Sequence, residues 1–156
     1  MSINRFLASF TRIPKELFRL NNGPAVRLRA MEGPLRPQRS FDLLTEKGKV
    51  KPKALDPPTY EWPNGASMRP NSPAQQNLVR TFRGSTIYVY AVPTGTELPE
   101  DLILVHEFGD HYSLQARKEM SIDELNAKIT DFLDKKAQCF TKEEWLQRYP
   151  AATESA

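Results

Sequence analysis

With Cys139 as its only cysteine, the chain of 156 residues has no partner for an intrachain disulfide and must hold its fold by burial and hydrogen bonding. That usage suits a reducing compartment. Cys139 precedes Phe140 and a helix-cap residue, where it reads as a buried small hydrophobe rather than a reactive thiol. Long apolar runs are also missing. None approaches the roughly 18–20 residues of a membrane-spanning helix, and Phe6 to Phe10 is too short for a secretory leader. Histidine is scarce, and the two present do not make a metal site. His106 and His111 are five apart with Gly109 between them, whereas a helical zinc pair needs i and i+4. There is no aromatic-basic RNA motif, no zinc-finger spacing and no helix-turn-helix signature, which argues against nucleic acid as a partner.

What remains is enough for one domain over 1–156, burying about 68–70% of its unfolded surface, with 1–13 and 151–156 peripheral. Nine of the thirteen prolines lie between Pro24 and Pro73, so that half is expected to be loop-rich. The net charge of +3 is unevenly spread: residues 1–56 hold 12 Lys+Arg against 5 Asp+Glu, and the remainder is net acidic. Arg5, Arg12, Lys15, Arg19, Arg27 and Arg29 therefore favour an anionic partner, be it nucleic acid, acidic lipid or the phosphates of a small ligand. The first thirty residues hold one acid, Glu16, as transit peptides do, but Pro14 and Pro24 break a long helix. A cytoplasmic address is expected, with the mitochondrion as the alternative.

Along the chain, residues 1–13 carry roughly helical apolar spacing in Ile3, Phe6, Leu7, Phe10 and Ile13, while Leu17-Phe18-Arg19-Leu20 reads as a strand. Phe41 to Leu44 followed by Lys47-Gly48-Lys49 suggests a short element and a turn. Ser72-Pro73-Ala74-Gln75 is a helix start, and a helix over 73–83 closed by a left-handed Gly84 is expected. Strands follow at Thr86–Val92, Leu102–His106 and His111–Ala116. Leu102 to Val105 is apolar on both faces, the pattern of a central strand. Two capping boxes, Ser121 with Glu124 and Thr141 with Glu144, start the last helices, and Ala151 to Ala156 reads as a mobile tail. The sum is an α+β fold.

Three polar clusters interrupt the core-building pattern: Asn64-Gly65-Ala66-Ser67, Gln75-Gln76, and His106 to Gln115, which includes the strand from His111. Alternation puts His111, Ser113 and Gln115 on one face of that strand, which either meets water or lines a cleft. The Asn64–Ser67 stretch reads as a turn whose short residues suit close approach to a ligand. Arg19 stands within an apolar run, so its head must reach water, an acid or an anion, and a planar guanidinium grips phosphate well.

The string Pro63 to Pro73, with Gly95 to Leu102 and the pair His111-Tyr112, resembles the type VI secretion effector toxins of ADP-ribosyltransferase-like, NAD-dependent fold, the first string looking like their fungal form. The resemblance spans roughly Leu17 to Leu133. It implies a split β-sandwich of the ADP-ribosyltransferase type with flanking helices, and a cytotoxin that transfers ADP-ribose from NAD or cleaves NAD. Carried over residue by residue, Arg19 matches an early basic anchor, Ser67 the serine of the family's turn, and His111 the later polar position. Asn64 and Gly65 belong to the same cofactor-binding turn, and Glu107 is the nearest candidate for the acidic position. Ala66 departs from the bacterial members, which have Thr there. The implied partners are NAD as substrate, a macromolecular acceptor of unknown identity and an immunity-type protein. The alternatives are a non-enzymatic toxin or binding module on the same fold, and a nucleic-acid binder using the basic first third.

Overall fold

Local capping signals set the helices. Ser72 accepts from the Gln75 amide and starts α1 (Pro73–Thr81); complete capping boxes start α2 (Ile122–Lys136) and α3 (Lys142–Arg148). The α1 helix stops at Thr81 because Phe82 turns to extended backbone, and Gly84 does not take the left-handed conformation expected of it. Gly84 instead lies against Asn22, where an added Cβ would stand 2.7 Å from Oδ1.

The computed structural model describes residues 5–34 and 41–154. Its strands are β1 (Ala8–Phe10), β2 (Leu17–Asn22), β3 (Ala30–Glu32), β4 (Leu43–Glu46), β5 (Lys49–Val50), β6 (Ala66–Met68), β7 (Ile87–Val92), β8 (Leu102–Phe108), β9 (His111–Ala116), β10 (Met120–Ser121) and β11 (Gln138–Thr141). They form three sheets, ordered β1-β8-β9-β6, β11-β7-β2 and β10-β5-β4-β3. The chain is thus α+β. Pairing is antiparallel except between β3 and β4, and β8 is the covered central strand that its two-sided apolar pattern predicts.

Three further expectations are corrected. Residues 8–10 form strand rather than helix, because Ala8, Ser9 and Phe10 pair with His106, Val105 and Leu104 of β8; Ile3 lies outside the described residues. Cys139 is exposed, since β11 is an edge strand that turns Phe140 inward and its neighbours out. The end of the chain is tied down, with Asn71 accepting from the Thr153 and Glu154 amides at 3.0 Å and donating to Ala151 O; residues 155 and 156 lie outside the described part.

The main apolar cluster fills the space between the β8–β9 pair and α2 with Leu104, Tyr112, Leu114, Leu125, Ile129 and Phe132. A second packs Phe18, Val79, Val89 and Trp145 between β2–β7 and the helices α1 and α3. The third, Ala54, Tyr60, Ile103 and Val105, roofs the opposite face of β8 with the proline-rich segment. All three sheets meet near residue 67. Phe18 and Arg69 bond each other's backbone, which joins β2 to the end of β6, while Leu43 bridges Asn64 just before β6.

Candidate functional site

Strand pairing fixes Ser67. Expected in a turn, it lies instead within β6, opposite Ser113 of β9. Alternation buries Ala66 and Met68 in the core and turns Ser67, half-buried, to the other side. His111, Ser113 and Gln115 share that side, and all three are buried rather than washed by solvent. In β8, His106 pairs with Tyr112 and Phe108 with His111, so Glu107 is the extra residue of a bulge. Its carboxylate shares the face of Ile103 and Val105 and lies against the imidazole, while the bulge brings Phe108 to the same side.

His111 Nδ1 lies 2.8 Å from Glu107 Oε1, close but without the alignment of a hydrogen bond. The opposite ring nitrogen, Nε2, lies 3.0 Å from Ser67 Oγ. Phe108 stacks on the imidazole with planes 10° apart and centroids at 4.9 Å, which holds the ring's orientation. A carboxylate beside Nδ1 favours the tautomer with its proton there, and in that tautomer the Nε2 lone pair faces the serine hydroxyl. Hydroxyl, imidazole and carboxylate therefore stand in line, the order that a nucleophile, a base and an orienting acid require.

Glu107 is 1% exposed, and such burial requires partners. Tyr60 Oη donates to its Oε2. Burial first, and then the charge of Glu107, push the phenol's pKa up, so Tyr60 keeps its proton and remains a donor. Gln115 Nε2 donates to Tyr60 Oη at 2.6 Å and to Ser113 Oγ at 3.1 Å. Asn64 Nδ2 in turn donates to Gln115 Oε1 at 3.2 Å and to Lys51 O at 3.1 Å. Asn64 is fully buried and supports the site from beneath. Gly65 is held by close approach: a Cβ there would lie 2.3 Å from Leu114 O.

Two hollows meet at Ser67. The larger, about 470 Å³, is walled by Arg19, Arg27, Arg29, Arg69, Asp42 and Gln75. The smaller, about 270 Å³, is lined by Trp62, Phe108, His111 and Glu107 and shares Asp42, Ser67 and Arg69 with the first. Arg19 Nη1 donates to Ser67 O at 3.2 Å and its Nε to Asn21 Oδ1 at 3.1 Å, with no ion pair among the described residues. Burial lowers its pKa, partly offset by Asp42, yet a guanidinium stays charged. The buried Gln75 Nε2 has no hydrogen-bond partner among the described residues. By contrast, Arg29 grips Asp42 through Nε and Nη2 at 3.3 and 3.2 Å, and Arg69 Nε stands 3.7 Å from Asp110. The larger hollow thus has fixed cations and an idle donor, the set that a phosphate-bearing ligand satisfies.

A family model described as Tse2 ADP-ribosyltransferase toxin matches residues 15–145. The chain belongs to that family. No curated protein and no solved structure matches it. The stretch that matches the Tse2 family carries Arg19, Asn64, Gly65, Ser67, Glu107 and His111, and the folded chain brings Arg19, Ser67, Glu107 and His111 to one place. Tyr60, Asp42 and Phe108 also belong to the constellation and were not singled out from sequence. Phe108 had a local signal in its place beside the turn at Gly109. Tyr60 had none, because its partners Glu107 and Gln115 are remote in the chain.

Proposed function

We propose that this member of the Tse2 family is a cytotoxin that breaks the nicotinamide–ribose bond of NAD and passes ADP-ribose to an acceptor. The carrying observation is the meeting of the two hollows at Ser67, one walled by arginines and the other by aromatic rings with a histidine–carboxylate pair. Arg19, Arg69 and Gln75 hold the pyrophosphate, and Trp62 and Phe108 flank the nicotinamide. Bond cleavage puts positive charge on the ribose. The buried Glu107 supplies compensating negative charge through His111 in surroundings where little water screens it. In this reading the three sheets form the split β-sandwich of the transferase type, and 1–156 is one domain. The Pro63 to Pro73 string supports kinship with the fungal relatives of type VI effectors, and a cytoplasmic site of action follows from the need for cellular NAD. An immunity-type protein covering the hollows is part of the same proposal.

Nicotinamide release by the purified protein tests the reading. Wild type is expected to release it, Arg19→Ala to raise KM, and His111→Ala to lower kcat by about 10²–10⁴-fold. Equal background rates in all three proteins would leave only a non-enzymatic binding role. Host growth on expression supplies the cellular counterpart: wild type should arrest it and His111→Ala should not.

A further inference from the structure

Resting on the NAD reading, we propose that Ser67 is itself an acceptor, so that the protein ADP-ribosylates its own Ser67 Oγ and thereby closes its site. The hydroxyl that His111 is placed to deprotonate belongs to the protein. Its Nε2 is already within hydrogen-bond distance of Ser67 Oγ, at 3.0 Å, and Glu107 faces the other ring nitrogen at 2.8 Å. A base serving only an external hydroxyl would need that position free. Phe108 holds the ring in plane, and Tyr60, itself held by Gln115, donates to the acid, so ring and acid are both braced.

Ser67 also sits where the two hollows meet, which is where the ribose carbon bonded to nicotinamide must lie in the proposed pose. The step balances within the groups present. Ser67 Oγ forms a bond to the anomeric carbon while the bond from that carbon to nicotinamide breaks. The electron pair leaves with nicotinamide, which departs neutral, and the serine proton moves to His111 Nε2, where Glu107 balances the imidazolium charge. The product is an O-glycosidic bond, with no oxidant or metal required. Once made, the adenosine diphosphate arm fills the arginine-walled hollow and excludes the next NAD. Activity is therefore self-limiting wherever an external acceptor does not outcompete Ser67.

Incubation of the full-length protein with NAD, read by intact mass and peptide mapping beside nicotinamide release, tests this. The expected result is one ADP-ribosyl group per chain mapped to Ser67, with release slowing as the adduct accumulates. His111→Gln, checked for folding by circular dichroism, should form the adduct at least about 10²-fold more slowly. Ser67→Cys should carry the group on sulfur. Sustained nicotinamide release with Ser67 unmodified would overturn self-modification while leaving the enzymatic reading intact. No nicotinamide release from the wild type would remove both. An adduct that maps only to other residues, or forms equally in His111→Gln, would also overturn the proposal.

Discussion

At Gly65, the distance from a virtual Cβ to Leu114 O is 2.3 Å and to Gln115 Cγ 2.9 Å, so even a methyl group has no room between the approach to β6 and strand β9. Backbone cannot swing aside as a flexible side chain would. Gly65→Ala should therefore cost about 1–3 kcal/mol, the range of an overpacked core, seen as a lower midpoint in urea with an unchanged slope. Residue identity was readable here, but its reason was not. A glycine in a polar stretch suggested closeness to a ligand, and the structure shows closeness to β9. Arg19 was legible because a guanidinium in an apolar strand demands a polar outlet. Glu107 was legible only as the nearest acid, because the expected strand stopped at His106; continued to Phe108, it carries Glu107 on the face of Ile103 and Val105, which is also the face of Ser113 and His111.

Elements whose signals are local were readable, and those defined by distant partners were not. The caps at Ser72, Ser121 and Thr141 lie within four residues of the helices they start. Strand β1 is only Ala8–Phe10 and takes its conformation from β8, so its own spacing misled. Likewise β10 and β11 exist through pairing with β5 and β7. The β4–β5 hairpin was suggested by Lys47-Gly48, both of which take positive φ. Its neighbour β3 fastens it through Glu32, which accepts from Thr45 Oγ1 at 2.7 Å and from the Gly48 and Lys47 amides at 3.0 and 2.7 Å. These bonds, Thr45's first, hold the carboxyl below the usual carboxylate range. The folded state then binds fewer protons than the unfolded one. Its contribution is complete above the ordinary glutamate range, about 4.3, and disappears as pH falls through the lowered folded value. Denaturation midpoints measured from pH 6 to pH 3 should show this loss, and Glu32→Gln should flatten that part of the profile.

On the scale of the molecule, the described cations of the basic first third do not form a continuous stripe. Arg12 pairs with Glu97 and Lys15 with Glu154, Arg5 lies over the Trp62 and Phe108 rings at 4.1 and 4.4 Å, and Arg19, Arg27 and Arg29 wall the larger hollow. Charge arranged as a concave patch suits a compact anion better than a duplex. Fluorescence anisotropy with duplex DNA is therefore expected to show no steeply salt-dependent binding; a steep slope that weakens on Arg27→Ala and Arg29→Ala would instead assign the patch to nucleic acid.

The unpaired residue in the β8–β9 hairpin sets phase as well as position. Because neighbouring side chains in a strand face opposite ways, the extra residue brings Phe108, which strict alternation would turn to the hydrocarbon side with Leu104 and His106, to the face of His111; deleting Glu107 would leave His111 on its face, opposite the same ring, with no carboxylate beside it. Hairpin length is thus a sorting criterion among kindred sequences: those short by one here should keep the scaffold and lose the chemistry, whatever residue follows the turn.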